Sequence, residues 1–190
     1  MPFDEPKTLA KQFGYMPHFF WMFAGRPGLN SAINQLEQAI TYGGSGLGRF
    51  REELIAFYVS AINGCHYCMA SHGEFLKRLH GDESIVFQLL QSGDATALSD
   101  LDRAMLHFVR KVTLEPASIT EEDTFRLFER RMPDDEILAV IYITSWFAFC
   151  NRMADATGLQ VEHFRRDWLS KLLAAHALGL EHGWLHVNTA

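Results

Sequence analysis

Residues 51–72 read REELIAFYVSAINGCHYCMASH. Apolar residues recur at helical spacing as far as Ile62, Asn63-Gly64 breaks the run, and a second helical stretch opens at Cys65. The spacing predicts one helix over Arg49–Ile62 and another over Cys65–Leu79, folded back on each other at Asn63-Gly64. The rest of the chain is read outward from that pair.

On the N-terminal side, Pro6–Ala24 reads as short helices interrupted at Gly14 and Pro17. A helix over Gly28–Tyr42 ends at the loop GGSGLG. On the C-terminal side, helices are expected near Glu83–Gln91 and Ser99–Thr113, closed by Pro116. Thr120 can cap a helix over Glu121–Arg131, with Asp123 three residues on as a loose version of the capping box. Pro133-Asp134-Asp135-Glu136 puts proline and acids where a helix start favours them, and that helix should run to about Ala156, stopped by Gly158. Val161–Leu180 is the last helix, and the tail EHGWLHVNTA reads as loose. No alternating strand pattern competes, so the class is all-α. A single helical domain is expected over 1–190, with its core at about 30–160 and a C-terminal helix and tail at 161–190. Glu53-Leu54-Ile55-Ala56 is echoed by Glu136-Ile137-Leu138-Ala139, 83 residues later. An old duplication of a helix pair and a chance likeness of two amphipathic helices both account for that echo.

Of the 190 residues, 48% are apolar and 21% charged, which suits a globular chain. The net charge of −6 is spread out, with no basic patch for nucleic acid phosphates. The start, MPFDEPKTLA, lacks the regions of a secretory signal, and the apolar stretch Ile137–Cys150 is too short to span a bilayer. The expected setting is cytoplasmic, with no membrane partner. Three cysteines in such a chain do not build a disulfide scaffold; a close pair there points to catalysis or metal binding. Fifteen Phe and four Trp exceed what a small domain easily hides, so a share is expected at a subunit interface.

Covalent haem attachment needs histidine directly after the second cysteine, and Met69 stands there. Zinc would find Cys65, Cys68 and His72 on one helical face, but its fourth donor would have to be Glu53. Cys150 lies in the apolar run ITSWFAFC and reads as a small buried hydrophobe. A redox pair fits more of the neighbourhood. The cysteines fall in the first turn of a helix, where the macrodipole favours thiolate. In an antiparallel hairpin, Glu53 lies ten residues before the turn, about 15 Å along the axis, and His72 lies eight past Gly64, about 12 Å back. The two should meet, and His72 is one helical turn from Cys68. Glu53 would then orient His72, and His72 would take the proton of Cys68. The helix start favours Cys65 as the more exposed and acidic thiol; the nearby imidazole favours Cys68, which is taken as the attacking sulfur, with Cys65 resolving. Read blandly, Glu53 is a surface helix acid.

Glu53, eleven residues, Cys65, two residues, Cys68, three residues, His72: this pattern resembles the signature of the alkylhydroperoxidase D-like proteins of the carboxymuconolactone decarboxylase superfamily. REELIAFYVSAINGCHYCMASH is similar to their core helix pair, NRMADATG to a later helix end, and the likeness covers roughly residues 30–160. It implies an all-helical bundle of that type and peroxide reduction through a CxxC disulfide. It also implies Glu53 and His72 as relay, no metal or organic cofactor, and helix-packed homo-oligomers from dimer to hexamer. The implied substrate is a hydroperoxide, and the implied reductant an external dithiol on a lipoylated or thioredoxin-like protein. The alkylhydroperoxidases proper carry histidine directly before the second cysteine; here that residue is Tyr67 and the histidine is His66, as in the looser peroxidase-related branch. His66 and Tyr67 are therefore accessory candidates. The alternatives are a carboxymuconolactone decarboxylase-like lyase, whose branch lacks the cysteine pair, and a non-enzymatic redox or zinc-binding interaction protein.

His18, His80 and His107 have no partner at ligand spacing and read as structural or solvated. His182 and His186 are four apart but straddle Gly183 near the end of the chain, a poor metal frame. Arg152, on an apolar helix, is expected to pair with a buried acid.

Overall fold

The structure, a computed structural model, describes residues 14–23 and 25–185. Among these, every regular element is helical: α1 His18–Trp21, α2 Pro27–Ile40, α3 Arg49–Asn63, α4 His66–His80, α5 Ser84–Ser92, α6 Asp100–Leu114, α7 Glu121–Phe128, α8 Asp134–Ala156 and α9 Arg166–Glu181. Short 3-10 turns lie at Pro116–Ser118 and His163–Arg165. Part of the stretch expected as Pro6–Ala24, and the end of the tail, lie outside the described residues.

Helix α3 is the centre of the bundle. Every residue from Glu52 to Ile62 is buried, and α4, α6 and α8 pack around it. From Leu54 to Ile62, Ser60 is its one polar side chain besides the Tyr58 hydroxyl, and a stretch apolar on nearly all sides must be enclosed. α8 has 23 residues, long and apolar enough by length and composition to cross a membrane. Here Ile137, Val140, Ile143, Phe147 and Ala154 bury one face of it in the core. α9 packs on α5 and α4.

Most ends follow local chemistry. Ser99 with Asp102, and Thr120 with Asp123, form capping boxes at the starts of α6 and α7. Three ends differ from expectation. α7 stops at Phe128 instead of Arg131, because Arg131 turns to φ 70° and the Met132 amide returns to the Leu127 carbonyl at 3.2 Å. α9 starts at Arg166 instead of Val161. The residue before the 3-10 turn, Glu162, is held outside the helix by the His18 amide at 3.1 Å, the Tyr67 hydroxyl at 3.0 Å and Arg165 at 2.6 Å. The start of the tail is packed rather than loose. The Trp184 indole donates to the Leu90 carbonyl at 2.7 Å and stacks on Tyr58, and Leu185 is buried. The α9–α5 crossing beside it needs glycine at position 179, since a Cβ there would lie 2.0 Å from the Leu90 carbonyl oxygen.

Candidate active site

The turn between α3 and α4 sets the site. Gly64 caps α3 at φ 70°, a left-handed conformation that favours glycine, and its amide returns to the Ala61 carbonyl at 3.2 Å. Cys65 follows as the N-cap of α4; its amide donates to Ser60 O at 3.0 Å and its carbonyl accepts from the Met69 amide at 2.9 Å. From α8, the Asn151 amide group donates to Ser60 Oγ at 3.0 Å, and its oxygen accepts from Asn63 at 2.9 Å. The turn is thus tied to the third helix of the core.

Both cysteines are reduced and buried, and Cys65 is the more enclosed of the two. The expectation of a more exposed, more acidic first cysteine fails here. The neighbouring Cys68 thiol first, then burial, pushes the Cys65 pKa up. That direction makes Cys65 the harder thiol of the pair to ionise.

Glu53 and His72 meet across the hairpin, with His72 Nδ1 2.7 Å from Glu53 Oε2. Glu53 is only 2% exposed, so it is no surface acid. Its other oxygen accepts from Arg49 one turn back on α3. The Arg49 guanidinium lies over the Tyr42 ring at 4.4 Å and also reaches Glu52 at 3.2 Å. Glu52 anchors the preceding loop by accepting from the Gly43 amide at 2.9 Å and the Ser45 hydroxyl at 2.6 Å. On its other side the His72 ring meets the edge of Phe147, with centroids 4.5 Å apart.

Cys68, His72 and Phe147 line a small cavity of about 50 Å³, shared with Tyr67, Glu37 and Cys150. Tyr67 is held there by its hydroxyl, which donates to Glu162 at 3.0 Å and accepts from the Phe19 amide at 3.2 Å. His66 is exposed at the first position of α4 and is not among the residues lining the cavity. Cys150 is buried as expected, yet it faces the same cavity as Cys68. Arg152 has an exposed role; it donates to the Ala148 carbonyl at 2.7 Å on its own helix. Among the described residues, no three His, Cys, Asp or Glu side chains converge as a metal site would require, so the donors of the zinc alternative are not gathered.

Glu37 and Tyr42 were not singled out in the sequence. Glu37 is buried, its Oε1 accepts from the Tyr42 hydroxyl at 3.3 Å, and its Oε2 has no partner among the described residues. Burial is the main cause raising its pKa, to about 7. Asn34 and Glu37 on α2 and Thr41 at its C-cap fall at spacings of three and four, and all three are buried. That polar stripe on an inward helical face is the signal that would have found Glu37.

The carboxymuconolactone decarboxylase family model matches residues 27–111, the span from α2 through most of α6. A peroxidase-related protein from Silicibacter sp. TM1040 is similar at 28% identity and a TM-score of 0.80, over 84% of this chain and 83% of that one. A peroxidase-related protein with an alkylhydroperoxidase AhpD core, from Ralstonia eutropha JMP134, is 26% identical with a TM-score of 0.78, over 84% of both chains. The alkyl hydroperoxide reductase AhpD of Mycobacteroides abscessus is 38% identical over 58 residues. These likenesses support assignment to the alkylhydroperoxidase D-like/carboxymuconolactone decarboxylase superfamily. The AhpD match takes in 29% of this chain and 33% of the reductase, so the chain spans about a third of that relative's length. That assignment supports an enzyme of peroxidase-related or decarboxylase-like type.

Proposed function

We propose that the chain is a thiol-dependent hydroperoxidase that works through a Cys65–Cys68 disulfide. The observation that carries this reading is the 2.7 Å contact of Glu53 with His72, on a cavity that His72 shares with Cys68, with Cys65 as the N-cap of the same helix. Glu53 fixes the imidazole, and the free ring nitrogen takes the Cys68 proton. The thiolate attacks the outer oxygen of a hydroperoxide; the S–O bond forms, the O–O bond breaks and an alcohol or water leaves. Cys65 then attacks the sulfenic sulfur, and water departs as the disulfide closes. An external dithiol, on a small molecule or a lipoylated or thioredoxin-like protein, restores both thiols by exchange. A reducing, cytoplasmic setting belongs to the same reading. A cavity of about 50 Å³ favours small hydroperoxides over bulky ones.

Peptide mapping after stoichiometric peroxide tests it. The peptide holding Cys65 and Cys68 should lose two hydrogens, and an added dithiol should restore them with one peroxide consumed per cycle. Modification of Cys150 alone would overturn the redox reading. A lyase of the decarboxylase type needs neither thiol, so activity on a lactone acid that survives Cys68→Ser would support that alternative instead.

A further inference from the structure

The peroxidase chemistry leaves one proton to be delivered. When sulfur takes the outer oxygen of a hydroperoxide, the inner oxygen departs as alkoxide or hydroxide, a poor leaving group unless it is protonated as the bond breaks. His72 is oriented by Glu53 to take a proton from sulfur. A second acid stands on the same cavity. Glu37 is 8% exposed, with Oε1 under the Tyr42 hydroxyl and Oε2 buried without a partner among the described residues. An ionised carboxylate with one bare buried oxygen is costly, whereas a protonated one makes that oxygen an O–H donor. Tyr42 itself sits at φ 52°, a strained conformation for a bulky residue, and from there its hydroxyl meets Glu37 while its ring meets Arg49.

We propose that Glu37 is the general acid of this site, giving its proton to the oxygen that leaves as the Cys68 sulfur breaks the O–O bond. The proposal rests on the thiol peroxidase reading and adds the proton donor. The step balances. Cys68 thiolate and hydroperoxide give sulfenic acid and alkoxide; the alkoxide takes the Glu37 proton and leaves as alcohol. Protonated His72, which holds the proton lost by Cys68, then restores Glu37. The groups facing Glu37 agree with a proton held near neutrality. Tyr42 follows it in the chain, Arg49 and Glu53 come from α3, Tyr67, Cys68 and His72 from α4, and Cys150 from α8, with Tyr15 on the same cavity. Burial raises the Glu37 pKa and Glu53 adds to it, which outweighs the pull of the Tyr42 hydrogen bond and of Arg49.

The test compares three reagents on Cys68 by rapid mixing: hydrogen peroxide, whose hydroxide leaves poorly; peroxyacetic acid, whose acetate leaves well; and iodoacetamide, which has no O–O bond. Glu37→Gln should slow the hydrogen peroxide reaction about 100-fold or more, the peroxyacetic acid reaction far less, and alkylation by about twofold at most. In the parent protein, which needs no variant to fold, the ratio of peroxide to alkylation rate should fall as pH rises through about 7. The ratio cancels thiolate titration, and in Glu37→Gln it should be flat. Equal hydrogen peroxide rates in parent and variant, or equal slowing with all three reagents, would overturn the role of Glu37. A parent protein that alkylates at Cys68 but is not oxidised there by any peroxide would instead overturn the peroxidase reading beneath it.

Discussion

Glu53 is buried and engages both carboxylate oxygens, one on Arg49 and one on His72. Replacing it with Gln keeps the shape and leaves a carbonyl for Arg49, but removes the anion that orients His72. Oxidation of Cys68 should slow about 100-fold in Glu53→Gln and in His72→Ala, and the double variant should be little worse than the slower single. Stopped-flow oxidation with circular dichroism as folding control checks this; a folded Glu53→Gln that oxidises at the parent rate would remove Glu53 from the relay. Read as a surface acid, Glu53 would have changed stability by roughly half a kcal/mol; its burial and paired oxygens raise the expected loss to about 1–3 kcal/mol. Glu37 makes a prediction of its own. Its pKa rises from 4.5 to about 7 on folding, so its favourable contribution is complete below 4.5 and is lost as pH climbs through 7. Up to about 3 kcal/mol of stability should disappear across that window, and Glu37→Gln should flatten the curve in urea titrations from pH 4 to 8. An unchanged pH dependence would show that Glu37 is not buried as a neutral acid. The Glu53–His72 meeting was legible because helical rise alone sets it. Glu37 was only half legible: its spacing with Asn34 and Thr41 marks a polar stripe, but the turn of that stripe towards the cysteines is set by packing.

The α3–α4 hairpin is the element that converts this spacing into a site. Its break was legible from Asn63-Gly64, whose glycine has the positive φ that ends a helix, whereas the Asn63–Asn151–Ser60 hydrogen bonds that pin it to α8 join residues 88 and 91 apart and leave no local trace. The same holds for α9, whose late start depends on Glu162 bonding to His18, 144 residues away. No atom stands within 4 Å of a Cβ built on Gly64, so Gly64→Ala meets only the cost of a left-handed backbone. That cost is about 1–2 kcal/mol, read as a lower urea midpoint at unchanged slope. A variant as stable as the parent would mean that the turn does not depend on glycine.

For the whole molecule, the question is what covers the outer face of α8. Leu138, Tyr142 and Phe149 are 48%, 53% and 41% exposed. They recur at spacings of four and seven, which sets them along one stripe of the helix, and Trp146 stacks on Phe149 beside it. Single exposed apolar residues are ordinary, but a stripe of three large ones on a rigid central helix is the form of a helix-on-helix interface. The composition announced a surplus of aromatic surface without saying where it lay; the packing of α8 on α3 and α6 decides which side remains outward. We expect a homo-oligomer joined through this stripe. Sedimentation velocity at micromolar concentration should give a species larger than the 21.6 kDa chain, and Tyr142→Glu with Leu138→Glu should shift it to monomer. His72 and Cys68 lie on the other side of α8, against Phe147 and Cys150, so the charged variants should still form the Cys65–Cys68 disulfide with peroxide. A parent chain that sediments as a monomer would leave the stripe bare, and the interface would then have to be sought elsewhere or abandoned.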